Sequence, residues 1–322
     1  MHQTLRRFAP TNLSPLTRRI ADDLFQKAKG IQVVRRQLLD ANQTQRLSLT
    51  LNRPHLYRDA GDLRRFTPAN GTPLAPGYHL VYFTPIALPD ELGHDGTDIG
   101  FSPAEPFTRR MWAGGEMKWE KGNPLRIGDE AVETTRLVSA EPKTGRTGEE
   151  MIIVRVEKAF ENANGPALVD KRDWVFRTKL SGPALLQDVR ECDSQPPAPQ
   201  NTSQESRDFL QTAVSLFRFS ALTFNGHKIH YSQPWAREIE GHRNIVVHGP
   251  LNLINMLDFW RDVQEDDHSI PHSIRYRATA PFYAGEVHRA LMDKSVGTAT
   301  IKLWGRSNSG DYKVGMLSDV SG

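Results

Sequence analysis

The sequence predicts an α+β protein made of two related copies, each an antiparallel sheet wrapped around a central helix. Three observations lead there. A polar, Pro-rich stretch with no hydrophobic period, ECDSQPPAPQNTSQESR (Glu191–Arg207), divides the 322-residue chain. Similar segments recur on both sides of it, RLSLTLNRPHLY (Arg46–Tyr57) before and RFSALTFNGHKIHY (Arg218–Tyr231) after, sharing Leu-Thr-apolar-Asn up to Asn52 and Asn225. An apolar, charge-poor run, GPLNLINMLDFW (Gly249–Trp260), has the composition of a helix buried on most sides, and alternating strand-like segments follow it.

The expected organisation is a presequence over residues 1–20, an N-terminal copy over 21–190, a linker over 191–207 and a C-terminal copy over 208–322. Residues 1–19 hold Arg6, Arg7, Arg18 and Arg19 with Leu5, Phe8, Leu13 and Leu16 and no acid, the composition of a mitochondrial transit peptide. A second correspondence sets MWAGGEM (Met111–Met117) against VVHGPLN (Val246–Asn252), so Gly114 is expected to open a first-half helix as Gly249 opens the second. Asn52 and Gly114 lie much farther apart than Asn225 and Gly249. The extra length, roughly 58–106, is rich in Pro and Gly and reads as a lid or binding surface. Tyr78–Thr84 (YHLVYFT) is its one strand-like run. Strands are predicted at Ala131–Ala140, Glu150–Phe160 and Leu168–Thr178, the first two joined by a hairpin at PKTGRTG. In the second copy they fall at Ser273–Ala280, Glu286–Asp293 and Thr298–Gly305. One buried helix wrapped by such a sheet is the hot-dog arrangement, and two copies make a double hot-dog.

Bulk composition narrows the functional classes. A single cysteine, Cys192, excludes a disulfide framework and a Cys-rich zinc site. No apolar run approaches the ~18–20 residues of a membrane span. The formal charge is +3, but without the four arginines of residues 1–19 the rest carries −1, so no nucleic-acid partner is expected.

The chemistry concentrates in FSALTFNGHKIHYSQPWA (Phe219–Ala236) and VVHGPL (Val246–Leu251). The first-half counterparts lack both key histidines: Tyr57 stands where His230 does, and Ala113 where His248 does. The working site is therefore expected in the second copy. His227, His230, His242 and His248 have no Cys or carboxylate at supportive spacing, so no metal is expected.

These segments resemble the hydratase-2 (MaoC-like) hot-dog family, whose motif reads roughly GDxNPxH, five residues, then Ala or Ser. QLLDANQTQRLSLTLNR, GYHLVYFTP and PFTRRMWAGGEMKW extend the likeness to fungal mitochondrial 3-hydroxyacyl-thioester dehydratases of type 2 and to mesaconyl-C4-CoA hydratase-like proteins, over most of residues 20–320. On that pattern His230 takes the position of the catalytic His and Ala236 that of the small residue, while Asn225 stands where the family has Asp. The resemblance implies reversible dehydration of a (3R)-3-hydroxyacyl thioester in mitochondrial fatty acid synthesis, with no cofactor. The substrate's carrier would be an acyl carrier protein or coenzyme A, and the enzyme a monomeric double hot-dog or a homodimer.

That reaction needs N–H donors for charge on the thioester oxygen, which a buried helix start at Gly249 would provide. It also needs a group that exchanges protons near neutrality, assigned to His230. Asn225 cannot titrate and is expected to position the hydroxyl or a water. His227 is a possible second titrating group, although in an extended segment residues three apart point to opposite faces. His248 is expected in the pocket wall and His242 exposed. Arg109 and Arg110, with Trp112 beside them, are either a solvated rim or a contact for a phosphopantetheine phosphate or an acidic carrier. Competing readings are a CoA-thioester hydratase of another pathway, a hot-dog thioesterase, and a non-catalytic acyl-thioester binder.

Overall fold

The computed structural model describes residues 13–145, 148–180, 205–307 and 310–322. The N-terminal half runs α1 (Pro15–Ala28), β1 (Gln32–Leu38), α2 (Ala41–Thr50), β2 (Arg109–Trp119), β3 (Glu130–Thr144), β4 (Glu150–Asn162) and β5 (Gly165–Arg177). The C-terminal half runs β6 (Glu205–Leu210), α3 (Ala213–Leu222), α4 (Gly249–Asp262), β7 (Ser273–Ala278), β8 (Val287–Ser295), β9 (Thr298–Arg306) and β10 (Tyr312–Ser321).

The ten strands among the described residues form one antiparallel sheet in the order β1-β3-β4-β5-β2-β7-β10-β9-β8-β6. The halves meet where β2 pairs with β7, from Gly114 opposite Arg277 to Lys118 opposite Ser273. Outward from that seam the halves run β2-β5-β4-β3-β1 and β7-β10-β9-β8-β6, the same order twice. α2 and α3 also correspond. Each opens on a side-chain cap, Asp40 accepting from Gln43 N and Thr212 from Ser215 N, and each ends within the shared Leu-Thr-apolar-Asn, at Thr50 and at Leu222.

The central helix of the C-terminal half is α4. Leu251 through Arg261 are all buried, which accounts for its apolar, charge-poor sequence. In the N-terminal half the corresponding segment is one 3-10 turn, Tyr78–Val81, fully buried, with Gly77 set against Ile254 and Leu257 of α4. Two expectations are corrected here. Tyr78–Thr84 does not form a strand: its apolar run belongs to a short buried turn, and periodicity cannot separate the two in so few residues. Met111–Met117 does not open a helix. It lies in β2 and corresponds to β7 rather than to the start of α4. Its glycines answer to sheet packing, since a Cβ on Gly115 would sit 2.1 Å from the Lys171 carbonyl oxygen.

Boundaries shift as well. Residues 1–12 of the expected presequence lie outside the described residues. Pro15–Ile20 are the opening turns of α1, with Thr17 and Ile20 buried. Pro15 does not interrupt this helix because it occupies the first turn, where its missing N–H has no partner to lose. Most of the expected linker lies outside the described residues, and its last residues, from Glu205, begin β6. No described helix is long and apolar enough to cross a membrane.

Candidate active site

The site is assembled from three short segments of the C-terminal half and one from the N-terminal insertion. After α3 the chain turns sharply at Phe224, with φ of 48°, and Asn225 Oδ1 accepts the His227 backbone N–H at 3.0 Å. Lys228–His230 form a 3-10 turn with His227 at its N-cap. In such a turn positions i and i+3 eclipse, so the two histidines share a side and their rings lie 5.3 Å apart. This corrects the expectation of opposite faces, which assumed an extended backbone.

His230 is buried. Its Nδ1 lies 2.7 Å from the Val246 carbonyl oxygen. A carbonyl can only accept, so Nδ1 carries the proton and the lone pair is left on Nε2. Burial lowers its pKa to about 4, against the support of that hydrogen bond, so the ring is neutral at pH 7. His248 stacks on it with centroids 3.6 Å apart and planes 18° from parallel. His248 Nε2 bonds the Ser220 hydroxyl at 2.9 Å, and its buried Nδ1 has no protein partner among the described residues. Burial, with His230 and His227 beside it, holds its pKa well below 6.5.

His248 is also the N-cap of α4. Asn252 N–H makes the first intrahelical bond, to the His248 carbonyl, and Pro250 has no N–H. The amides of Gly249 and Leu251 are thus the first-turn donors outside the helix ladder, at its positive end. A Cβ on Gly249 would lie 3.2 Å from Trp112 Cβ, so glycine lets this helix start sit against β2. Trp112 donates its indole N–H to the Tyr276 hydroxyl at 3.1 Å.

The insertion contributes a group that sequence reasoning missed. Asp95 Oδ2 lies 3.4 Å from His227 Nε2 and accepts no hydrogen bond among the described residues, while its Oδ1 accepts Thr97 N–H and hydroxyl. The Asp95 carbonyl receives Lys228 N–H at 2.8 Å, and Gly96 and Gly226 meet backbone to backbone. The nearest signal was the sequence HDGTDIG, where an Asx turn is legible but its docking partner is not.

One cavity of about 1710 Å³ is lined by Asn225, His227, His230, His248, Gly249 and Trp112, among others. Arg110 also lines it, donating to the Asp98 carbonyl at 2.9 Å and lying 5.1 Å from the Trp174 ring centroid. Arg109 is turned elsewhere, its Nε on Glu240 at 2.6 Å, so the structure separates the arginine pair. His242 is not exposed: it lines the cavity, and burial brings its pKa to about 4. At the first-half counterpart, Tyr57 stacks on His268 at 3.9 Å and lies 4.9 Å from the Arg261 guanidinium. Arg261 bonds Asp258 at 2.7 Å, and the Tyr78 hydroxyl donates to the same carboxylate at 3.2 Å. A hydrogen-bonded ion network thus fills that position.

Comparison with known proteins bears on the family and the fold. The chain is 32% identical over 204 residues to a protein named mesaconyl-C(4)-CoA hydratase from Chloroflexus aurantiacus, a match covering 60% of this chain and 66% of that protein, just under two thirds of its length. It is 26% identical over 251 residues to the mitochondrial hydroxyacyl-thioester dehydratase type 2 of Schizosaccharomyces pombe, covering 70% and 79%. Among solved structures it resembles HtdX of Mycobacterium tuberculosis, with a TM-score of 0.60, 14% identity, and 91% and 100% of the two chains covered. Another Mycobacterium tuberculosis protein, described as having a double hot-dog fold, aligns with a TM-score of 0.56 at 13% identity over 92% and 97%. These likenesses establish the double hot-dog fold. Residues 77–284, nearly two thirds of the chain and including every histidine of the site, match the hydroxyacyl-thioester dehydratase type 2 family, and the chain belongs to that family of hydro-lyases.

Proposed function

We propose that this chain reversibly removes water from a (3R)-3-hydroxyacyl thioester to give the trans-2-enoyl thioester, with His230 as the base. The observation that carries the proposal is the 2.7 Å bond from His230 Nδ1 to the Val246 carbonyl, which fixes the tautomer and leaves a buried Nε2 lone pair at the cavity beside the start of α4. Nε2 takes the α-proton, and the electrons of that C–H bond form the new double bond through an enolate. The Gly249 and Leu251 amides receive the charge on the thioester oxygen. The imidazolium then gives its proton to the departing β-hydroxyl, which leaves as water, so one ring serves as base and acid.

Asn225 holds the hydroxyl with its amide Nδ2, because its Oδ1 is already engaged by His227 N–H. It thereby keeps a positioning role where a carboxylate could have titrated. Asp95 restores a carboxylate to the site from the insertion, with Oδ2 3.4 Å from His227 Nε2. Arg110, rather than Arg109, is the contact for the carrier's phosphate, whether that carrier is an acyl carrier protein or coenzyme A. The name of the Schizosaccharomyces pombe relative and the acid-free, arginine-bearing residues 1–12 support action in the mitochondrial matrix, in fatty acid synthesis.

Incubation with crotonyl-CoA tests the reaction. Loss of enoyl absorbance with no free thiol is expected. Release of thiol would indicate a thioesterase, and no change would reduce the site to a binding pocket.

A further inference from the structure

A buried base needs somewhere to put the charge it acquires. His230 becomes an imidazolium when it takes the α-proton, in a place where burial already pulls its pKa to about 4. The usual remedy is a carboxylate on the far ring nitrogen. Here Nδ1 meets the neutral Val246 carbonyl at 2.7 Å, and no carboxylate bonds His230 among the described residues. The titratable and charged groups nearest to it have the wrong sign. Arg110 of β2 and His242 both act against a proton on His230. His227 lies 5.3 Å away, and Asp95 stands one ring farther off, beside His227 Nε2.

One face of His230 is covered by His248. The ring centroids lie 3.6 Å apart with planes 18° from parallel, and His248 is 1% exposed. The surroundings hold that ring in place. Phe219 of α3 meets it edge to face with centroids 4.9 Å apart, and Ser220 of the same helix bonds Nε2 at 2.9 Å. The Ser220 hydroxyl makes no other hydrogen bond among the described residues, so it donates to Nε2 and the ring's own proton sits on Nδ1. The reverse assignment would strand both the hydroxyl hydrogen and an Nδ1 lone pair in a buried place. Burial, with His230 and His227 beside it, keeps His248 uncharged. A neutral π face therefore lies flat against the ring that must become cationic, and such a face attracts a cation centred over it.

We propose that His248 is a positioning residue whose π face stabilises the His230 imidazolium, in the part that a partner carboxylate plays for other histidine bases. The proposal rests on His230 as the base. It gives the side chain of the α4 N-cap a purpose, since His248 makes no side-chain cap bond to that helix. The stack acts on one half of the ion pair formed in the reaction, and the Gly249 and Leu251 amides act on the other, the enolate oxygen. Ser220 takes part indirectly, by fixing the plane and the tautomer of the supporting ring. A second cation there would repel the first at stacking distance, which is why the support has to stay neutral.

Crotonyl-CoA hydration at pH 7 by two variants separates the π face from bulk and from the ring nitrogens. His248→Phe keeps a flat aromatic face without nitrogens, and His248→Leu fills the space with no such face. The Leu variant is expected to lose roughly tenfold in kcat with KM little changed. The Phe variant should recover most of that loss, and both should melt cooperatively. Equal kcat in the two overturns the proposal: if both stay near wild type the ring is dispensable, and if both fall the nitrogens act instead. A change confined to KM overturns it too, since the residue would then serve binding. Should either variant not fold, nitrogen NMR of the wild-type histidine rings decides. His248 is expected to stay neutral and Nδ1-protonated from pH 7 down to the onset of acid unfolding, and a cationic ring or the opposite tautomer in that range contradicts the proposal. Failure of the base reading shows separately, as His230→Ala turning over at the wild-type rate.

Discussion

At His230, burial and one hydrogen bond produce the neutral ring that the proposed base requires. The Val246 carbonyl fixes the tautomer, and desolvation brings the pKa to about 4, so the ring is neutral well below ordinary histidine values. The proposed mechanism requires the neutral ring. The acid limb of kcat/KM is therefore expected near pH 4, not near 6.5, when rates are recorded briefly enough to precede acid unfolding. A limb at 6.5 would mean that His230 is solvated or is not the base. Asp95→Asn probes the neighbouring dyad. With the carboxylate beside His227 removed, kcat should fall roughly tenfold with KM little changed, and an unaltered kcat would remove Asp95 from the mechanism.

At the scale of elements, the site depends on a loop from one half docking on a turn of the other. Gly96 has φ of +83°, and a Cβ there would lie 2.2 Å from the Gly226 carbonyl oxygen. Gly96→Ala should destabilise the fold by about 1–3 kcal/mol and lower kcat by displacing Asp95, read by thermal unfolding beside initial rates. Normal values for both would show that the contact is dispensable. The same comparison of elements shows what the sequence made legible. The strands β3, β4, β5, β7, β8 and β9 and the helix α4 announced themselves through period and apolar content. His230, Asn225 and Gly249 were legible because their motif is local. The Tyr78–Val81 turn and β2 were misassigned because a short apolar run suits a strand or a buried turn equally well, and because Gly-Gly in β2 imitated a helix start. Asp95 was out of reach, since its place depends on a loop and a turn brought together across a long stretch of sequence.

The whole molecule is a duplicated sheet with unequal halves. One half keeps a full central helix and the histidines, and the other has a single turn and an ion network at the equivalent place. Six buried or partly buried histidines, His79, His227, His230, His242, His248 and His288, have pKa values lowered by burial. Between pH 6.5 and about 4 the unfolded chain therefore binds more protons than the native one, so stability rises with pH across that window and is lost on acidification. Each such histidine contributes up to about 1.4 kcal/mol per pH unit, and the urea midpoint at pH 5 should lie clearly below that at pH 7. Equal midpoints would mean that these rings are already charged in the fold. The central claim is that chemistry in this duplicated chain runs through one imidazole of the C-terminal half. Crotonyl-CoA hydration by His230→Ala at pH 7 measures it most directly. The account predicts a loss of roughly 10²–10⁴-fold in kcat in a protein whose melting is preserved, and a folded variant that turns over at the wild-type rate would contradict it.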